Sequence, residues 1–111
     1  MTYIPEQGDI IWLNFDPSAG KEIQKRRPAF VISQKLFNQT TGFAMVAPIT
    51  STQRGLRTEV DLSNAGLKTS GSIVVHQMRT FDFKARNATL IEHTPPNVQG
   101  LAMKIAQAIV S

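Results

Sequence analysis

Five short apolar runs, each punctuated by glycine or proline, constrain this chain more than any other feature. "GDIIWLNF" (8–15) is rich in β-branched and aromatic residues and stops at Asp16-Pro17, because proline fixes φ and supplies no N–H to a ladder. "PAFVIS" (28–33) is continuously apolar, which predicts a strand covered on both faces. "GFAMVAPI" (42–49) is entered at Gly42 and closed near Pro48. "TEVDLS" (58–63) alternates, with Val60 and Leu62 on one side and Glu59 and Asp61 on the other, as in a half-exposed strand. "SIVVHQM" (72–78) follows Gly71 and opens on β-branched residues, with His76 in mid-strand. Five short strands with this punctuation predict a mainly β fold, a small antiparallel barrel or sandwich.

The end of the chain follows a different period. Val98, Leu101, Ala102, Ile105 and Ile109 recur at helical spacing behind Thr94, a candidate N-cap, and Pro95, which suits the first helical position. The stripe predicts one C-terminal helix laid on the sheet. Its polar face carries only Lys104 as a base, unlike a membrane-surface helix. Residues 1–111 form a single domain without repeats or linkers, and no apolar run approaches the length of a membrane span. "MTYIPEQGD" has neither a basic nor an apolar leader region, so the expected location is cytoplasmic. There is no cysteine, and His76 and His93 lack ligand-like spacing, so neither a disulfide nor a bound metal is expected. Trp12, the only tryptophan, reads most simply as core.

Charge is unevenly spread. Residues 1–20 contain Glu6, Asp9 and Asp16 with no base, whereas 21–57 contain Lys21, Lys25, Arg26, Arg27, Lys35, Arg54 and Arg57 against Glu22 alone. Arg79, Lys84 and Arg86 follow. Loops of this kind, gathered on one face, would suit a phosphate backbone; scattered, they are a solvated surface. Arg27 is singled out because Pro28 forces it to be extended at the mouth of a buried strand. An arginine there is held as a phosphate clamp should be, or else snorkels at the rim or pairs with Glu22. His76, His93, Glu22 and the hydroxyls Thr50, Ser51 and Thr52 complete the candidates. His76 taken alone is a packed strand histidine, and His93 is structural or on the surface.

"GDIIWLNFDPSAGKE", "RRPAFVIS", "FN" at 37–38, "APIT" at 47–50 and "HQMRTFDFKAR" at 76–86 occur in the order and spacing of one family. The chain resembles the MazF/PemK/Kid toxins over nearly its whole length. The resemblance implies an SH3-like small barrel with a C-terminal helix, of the CcdB/PemK/MazF type, paired as a homodimer. It implies an endoribonuclease of a type II toxin–antitoxin system that cuts single-stranded RNA without a metal or other cofactor, inhibits translation, and is silenced by an acidic cognate antitoxin. The loop "SAGKEIQKRR" would border the RNA groove, with Glu22, Arg27 and Thr50 matching the family's active-site positions. Metal-free RNA cleavage needs a base for the 2′-OH, charge for the phosphorane and an acid for the departing 5′ oxygen. Arg27 would be the clamp, Thr50 would orient the phosphate, and Glu22 would be a base or would orient Arg27. Lys21, Lys25, Arg26, Arg54, Arg57, Gln77, Arg79 and Arg86 are the expected RNA contacts.

One departure stands out. Where the Kid branch has an acid–base aspartate, and an arginine two residues earlier, this chain has His76 and Val74. Imidazole can exchange protons near neutrality, so His76 either replaces the aspartate or contacts bases. Two other classes remain. A CcdB-like gyrase poison has this fold but ends in Trp-Gly-Ile, whereas this chain ends "AQAIVS". A non-catalytic RNA-binding barrel leaves Glu22 without a purpose.

Overall fold

The computed structural model describes residues 3–17, 19–52 and 55–111. Seven strands and two helices follow in the order β1 (Asp9–Asn14), β2 (Arg26–Val31), α1 (Lys35–Thr41), β3 (Phe43–Thr50), β4 (Glu59–Asp61), β5 (Ser72–Val74), β6 (Arg79–Asp82), β7 (Thr89–His93) and α2 (Pro96–Val110). A single 3-10 turn, Val75–Gln77, joins β5 to β6. All pairings are antiparallel, in the order β4-β5-β3-β2-β1-β7, with β6 also on β3. The result is the small barrel-like sheet with a C-terminal helix that the resemblance implies.

β3 is the hub. Phe43–Val46 pair with β6 and Ile49–Thr50 with β5, while Ala47 and Pro48 face β2 on the other edge. Its period-two alternation sends Ala44 and Val46 into one core cluster and Ala47 and Ile49 into another. β2 does the same, Ala29 and Val31 joining Ile11, Leu13, Phe15 and Phe81, and Phe30 joining Ile10, Val60, Ile73 and the helix residues Val98, Ala102 and Ala106. The continuously apolar run is therefore covered on both faces, as predicted.

Several expectations are corrected. Five strands become seven, because β6 ("RTFD") and β7 ("TLIEH") are short and carry charge or exposed leucine at alternate positions. α1 was not expected. It has no apolar stripe, since Leu36 and Phe37 are exposed, and it is held by buried Asn38, whose amide donates to the Pro5 carbonyl at 2.8 Å and the Ser33 carbonyl at 3.2 Å. Gly42, at φ 78, ends it. The strand through His76 stops at Val74, so His76 lies exposed in the 3-10 turn, not in mid-strand.

α2 starts one residue later than predicted, with Pro96 first and Pro95 at the cap. Thr94 does not cap it: its hydroxyl donates to the Gly8 carbonyl at 2.7 Å. Leu101 and Ile109, 50% and 42% exposed, fall outside the buried stripe, which runs through Val98, Ala102 and Ala106. Trp12 is not core either. It follows Ile10 on the same face of β1, but α2 packs on β4 and the 3-10 turn, and the residue is left 42% exposed. No helix among the described residues is long and apolar enough to cross a membrane.

Candidate active site

The predicted clamp and its neighbours meet where the ends of β2, β3, β4 and β5 converge. Ala29 pairs with Pro48, so two residues further on in opposite directions stand Arg27 and Thr50. Thr50 in turn pairs with Ser72 of β5, and Val74 of β5 with Glu59 of β4. Gly71, at φ 109, lies against the Thr50 carbonyl so closely that no side chain fits between them. These elements enclose a cleft of about 150 Å³ lined by Ile23, Arg27, Thr50, Thr52, Glu59, Val74 and Gln77.

The 19–25 loop is tied down around this cleft. The Gln77 side-chain oxygen accepts the Ile23 N–H at 3.0 Å, linking the loop to the 3-10 turn. Arg27 Nε donates to the Gln24 carbonyl at 2.8 Å, which orients a half-buried guanidinium by its inner nitrogen. Glu22 does not pair with Arg27. One oxygen accepts the Ala19 N–H at 2.8 Å and the other lies 3.6 Å from Arg79, whose guanidinium also covers the Phe81 ring at 4.8 Å. Lys25 adopts φ 74, a conformation that a non-glycine residue holds only when its surroundings enforce it. Here Asp16 accepts its N–H at 2.9 Å and its carbonyl accepts the Phe15 N–H at 3.0 Å.

A larger open groove of about 560 Å³ shares Arg27 with the cleft. Trp12, Arg26, Pro28, Ile49, Ser51, Lys68, Thr69, Ser70 and Ile91 complete its lining. Its far wall is clipped by Glu92, whose carboxylate accepts the Lys68 N–H at 3.1 Å, the Thr69 N–H at 2.8 Å and the Thr69 hydroxyl at 2.7 Å. Burial alone would raise the pKa of Glu92. The hydrogen bonds from Thr69 and the backbone, with the charge of Lys68, outweigh it and hold the carboxyl below its usual range.

Of the residues singled out from the sequence, Arg27, Thr50, Thr52 and Gln77 line the cleft together, and Ser51 lines the groove. Glu22 and Arg79 form a pair beside it. Exposed Lys21, Lys25, Arg26 and Arg57 lie on flanking loops and on β2, and Arg54 lies outside the described residues. His76 is outside the cleft lining and bonds through Nδ1 to the Thr58 hydroxyl at 2.7 Å. Arg86 is engaged in the fold: it donates to the Asp16 carbonyl and lies 5.0 Å from the Phe81 ring centroid. His93 is structural, 2.8 Å from buried Asp9, which also accepts the Tyr3 hydroxyl. Burial first, then that hydrogen bond and the Asp9 charge, raise the Tyr3 pKa.

Sequence reading missed Glu59, Trp12 and Lys68. Glu59 was read as solvent-facing from its alternation, and only its place directly after a basic loop hinted otherwise. Among the described residues, no three acidic or histidine side chains are grouped to hold a metal ion.

Residues 6–109 match the family described as PemK-like, MazF-like toxins of type II toxin–antitoxin systems. The chain is 38% identical over 87 residues to the endoribonuclease toxin MazF of Escherichia coli K12, covering 78% of this chain and 77% of that protein. A crystal structure of MazF from Deinococcus radiodurans superposes with a TM-score of 0.92 at 34% identity, over 98% of both chains. A MazE–MazF structure from the same organism gives 0.85 at 34% identity, over 98% of this chain and 97% of that one.

Proposed function

Because the chain belongs to the PemK-like, MazF-like toxins of type II toxin–antitoxin systems and is an endoribonuclease of that kind, we propose that it cuts single-stranded RNA, mRNA among it, at the Arg27–Thr50 cleft and so arrests translation. The observation that carries this reading is the convergence of Arg27 and Thr50, from two different strands, on one small polar cleft beside a basic groove.

Cleavage proceeds by attack of the 2′-OH on its own phosphate, giving a 2′,3′-cyclic phosphate and a 5′-OH. Arg27 Nη groups clamp the phosphorane oxygens, its Nε being held by Gln24; a guanidinium matches two oxygens at once. The Thr50 hydroxyl orients the phosphate. Glu22 acts as a positioning residue, fixing Arg79 and the backbone at Ala19. His76 contacts the RNA from the exposed 3-10 turn. Lys21, Lys25, Arg26 and Arg57 supply the long-range field that draws the backbone in.

The remaining partners follow from charge. An acidic, extended segment of a cognate antitoxin fills the same groove with carboxylates in place of phosphates, and a homodimer in the cytoplasm is the working form. The test is incubation of the purified protein with a long unstructured RNA in EDTA, with 5′ ends mapped and product termini identified. Cleavage with 5′-OH ends supports the reading; intact RNA, or a strict need for Mg²⁺, overturns it. A gyrase supercoiling assay run alongside should show no effect.

A further inference from the structure

Resting on the nuclease reading above, we infer that Glu59 is the general base of the reaction, a role that no resemblance assigned and that the sequence pattern concealed. Elimination within the cleft leads to it. Arg27 cannot give up its proton in a protein, and Thr50, Thr52 and Gln77 are not bases at neutral pH. Ile23 and Val74 carry no polar side-chain atom. Among the described residues, Glu59 is the one lining group that can accept a proton. The expected base, Glu22, is outside that lining and is held by Arg79 and the Ala19 N–H.

The backbone around Glu59 is suited to the task. It opens β4 opposite Val74, its N–H donates to the Leu56 carbonyl at 3.1 Å, and the preceding Thr58 carbonyl accepts the Val75 N–H at 3.0 Å. A half-buried carboxylate on a strand is placed more firmly than one on a loop. Glu59 takes the 2′-OH proton as O2′ bonds to phosphorus. The P–O5′ bond then breaks with its electron pair on O5′, which takes a proton from a solvent water. The hydroxide left behind takes the proton back from Glu59, so no proton is consumed overall.

The experiment is single-turnover cleavage of a single-stranded RNA from about pH 3.5 to 9, a span that includes the ordinary carboxylate range, by the wild-type chain, Glu59→Gln and Glu22→Gln. Melting curves are recorded for each, with binding of an RNA carrying a 2′-deoxy residue at the cut. The expected result is that Glu59→Gln loses on the order of 10²–10⁴-fold in rate and loses the acidic limb of the profile. Its affinity for the deoxy substrate should stay within a few-fold, and Glu22→Gln should keep the limb. A Glu59→Gln protein that cuts nearly as fast as wild type, or a limb that vanishes in Glu22→Gln instead, overturns the inference while leaving the nuclease reading intact. An inert wild-type chain overturns both. If Glu59→Gln melts below the assay temperature, Glu59→Asp decides: a slower rate with the limb retained supports the base, and an unchanged rate refutes it.

Discussion

Replacing Gly71 by alanine drives a methyl group into the strand that carries Thr50. The new carbon would lie 2.4 Å from the Thr50 carbonyl oxygen and 2.9 Å from its carbon, where ordinary contact begins at 3.4 Å. The two backbones must therefore part by about 1 Å (3.4 − 2.4). Both are pinned, since Leu62 N–H donates to the Gly71 carbonyl at 2.9 Å and Ser72 pairs with Thr50 and Asp61. Overpacking of this kind costs roughly 1–3 kcal/mol, and a side chain at φ 109 adds strain of about 1–2 kcal/mol. The sum is roughly 2–5 kcal/mol, a fall in Tm of about 10–20 °C for a domain of this size. Because the displaced atoms belong to Thr50, cleavage at a temperature where both proteins are folded should also slow. Thermal melts with single-turnover cleavage at 20–25 °C read both effects. A Gly71→Ala protein melting within about 2 °C of wild type would refute the close-approach argument.

Arg27→Ala should lose about a hundredfold or more in cleavage rate, the scale of one charge-stabilising donor, with a nearly unchanged melting curve; Arg27→Lys should also be poor, because one point charge replaces a fork. Glu92→Gln removes a carboxylate whose pKa is lowered in the folded state. The stability it contributes is present above the unfolded pKa of about 4.3 and is lost as pH falls through the lower folded value. The variant should therefore melt slightly below wild type at pH 7, by roughly 0.5 kcal/mol or less because the carboxylate lies near the surface and is screened by solvent, with the gap closing only as the melts are taken below about pH 4. Lys25→Gly relieves a left-handed residue while deleting a charge, so its Tm should hold or rise while RNA binding weakens and the salt slope falls by about one.

The elements legible in the sequence were those whose pattern and packing agree. Phe30 and Val31 sit in a continuous apolar run because β2 lies between two core clusters, and the run can be read without knowing what covers it. α1 could not be read, because its one buried side chain is Asn38, whose partners Pro5 and Ser33 lie outside the helix. Polar burial leaves no period. β7 escaped for a related reason: Leu90 is exposed while Glu92 is committed to the 68–69 backbone, which inverts the expected alternation.

The site divides along the same line. Arg27 was legible because its constraint is local: Pro28 holds it extended at the head of a buried strand. Thr50 was legible only as one of three hydroxyls after the third strand until resemblance singled it out, and Gln77 was located only through resemblance; what joins them to Arg27 is pairing between distant segments. Glu22 and Arg27 lie close in sequence, one in the 19–25 loop and one at the start of β2, and carry opposite charge, which invites pairing them. The loop instead turns Glu22 toward Arg79 and sends the Arg27 Nε to Gln24. Nearness in sequence misleads most in such a loop, where three-dimensional neighbours come from another strand. Glu59 is the converse case. Alternation in "TEVDLS" sorts it with Asp61 as solvent-facing, and Asp61 is exposed, but the side of β4 that faces away from the core faces the cleft at Glu59. A two-residue period reports which side of a strand a residue takes; whether that side meets water or a reacting phosphate depends on the loop folded over it.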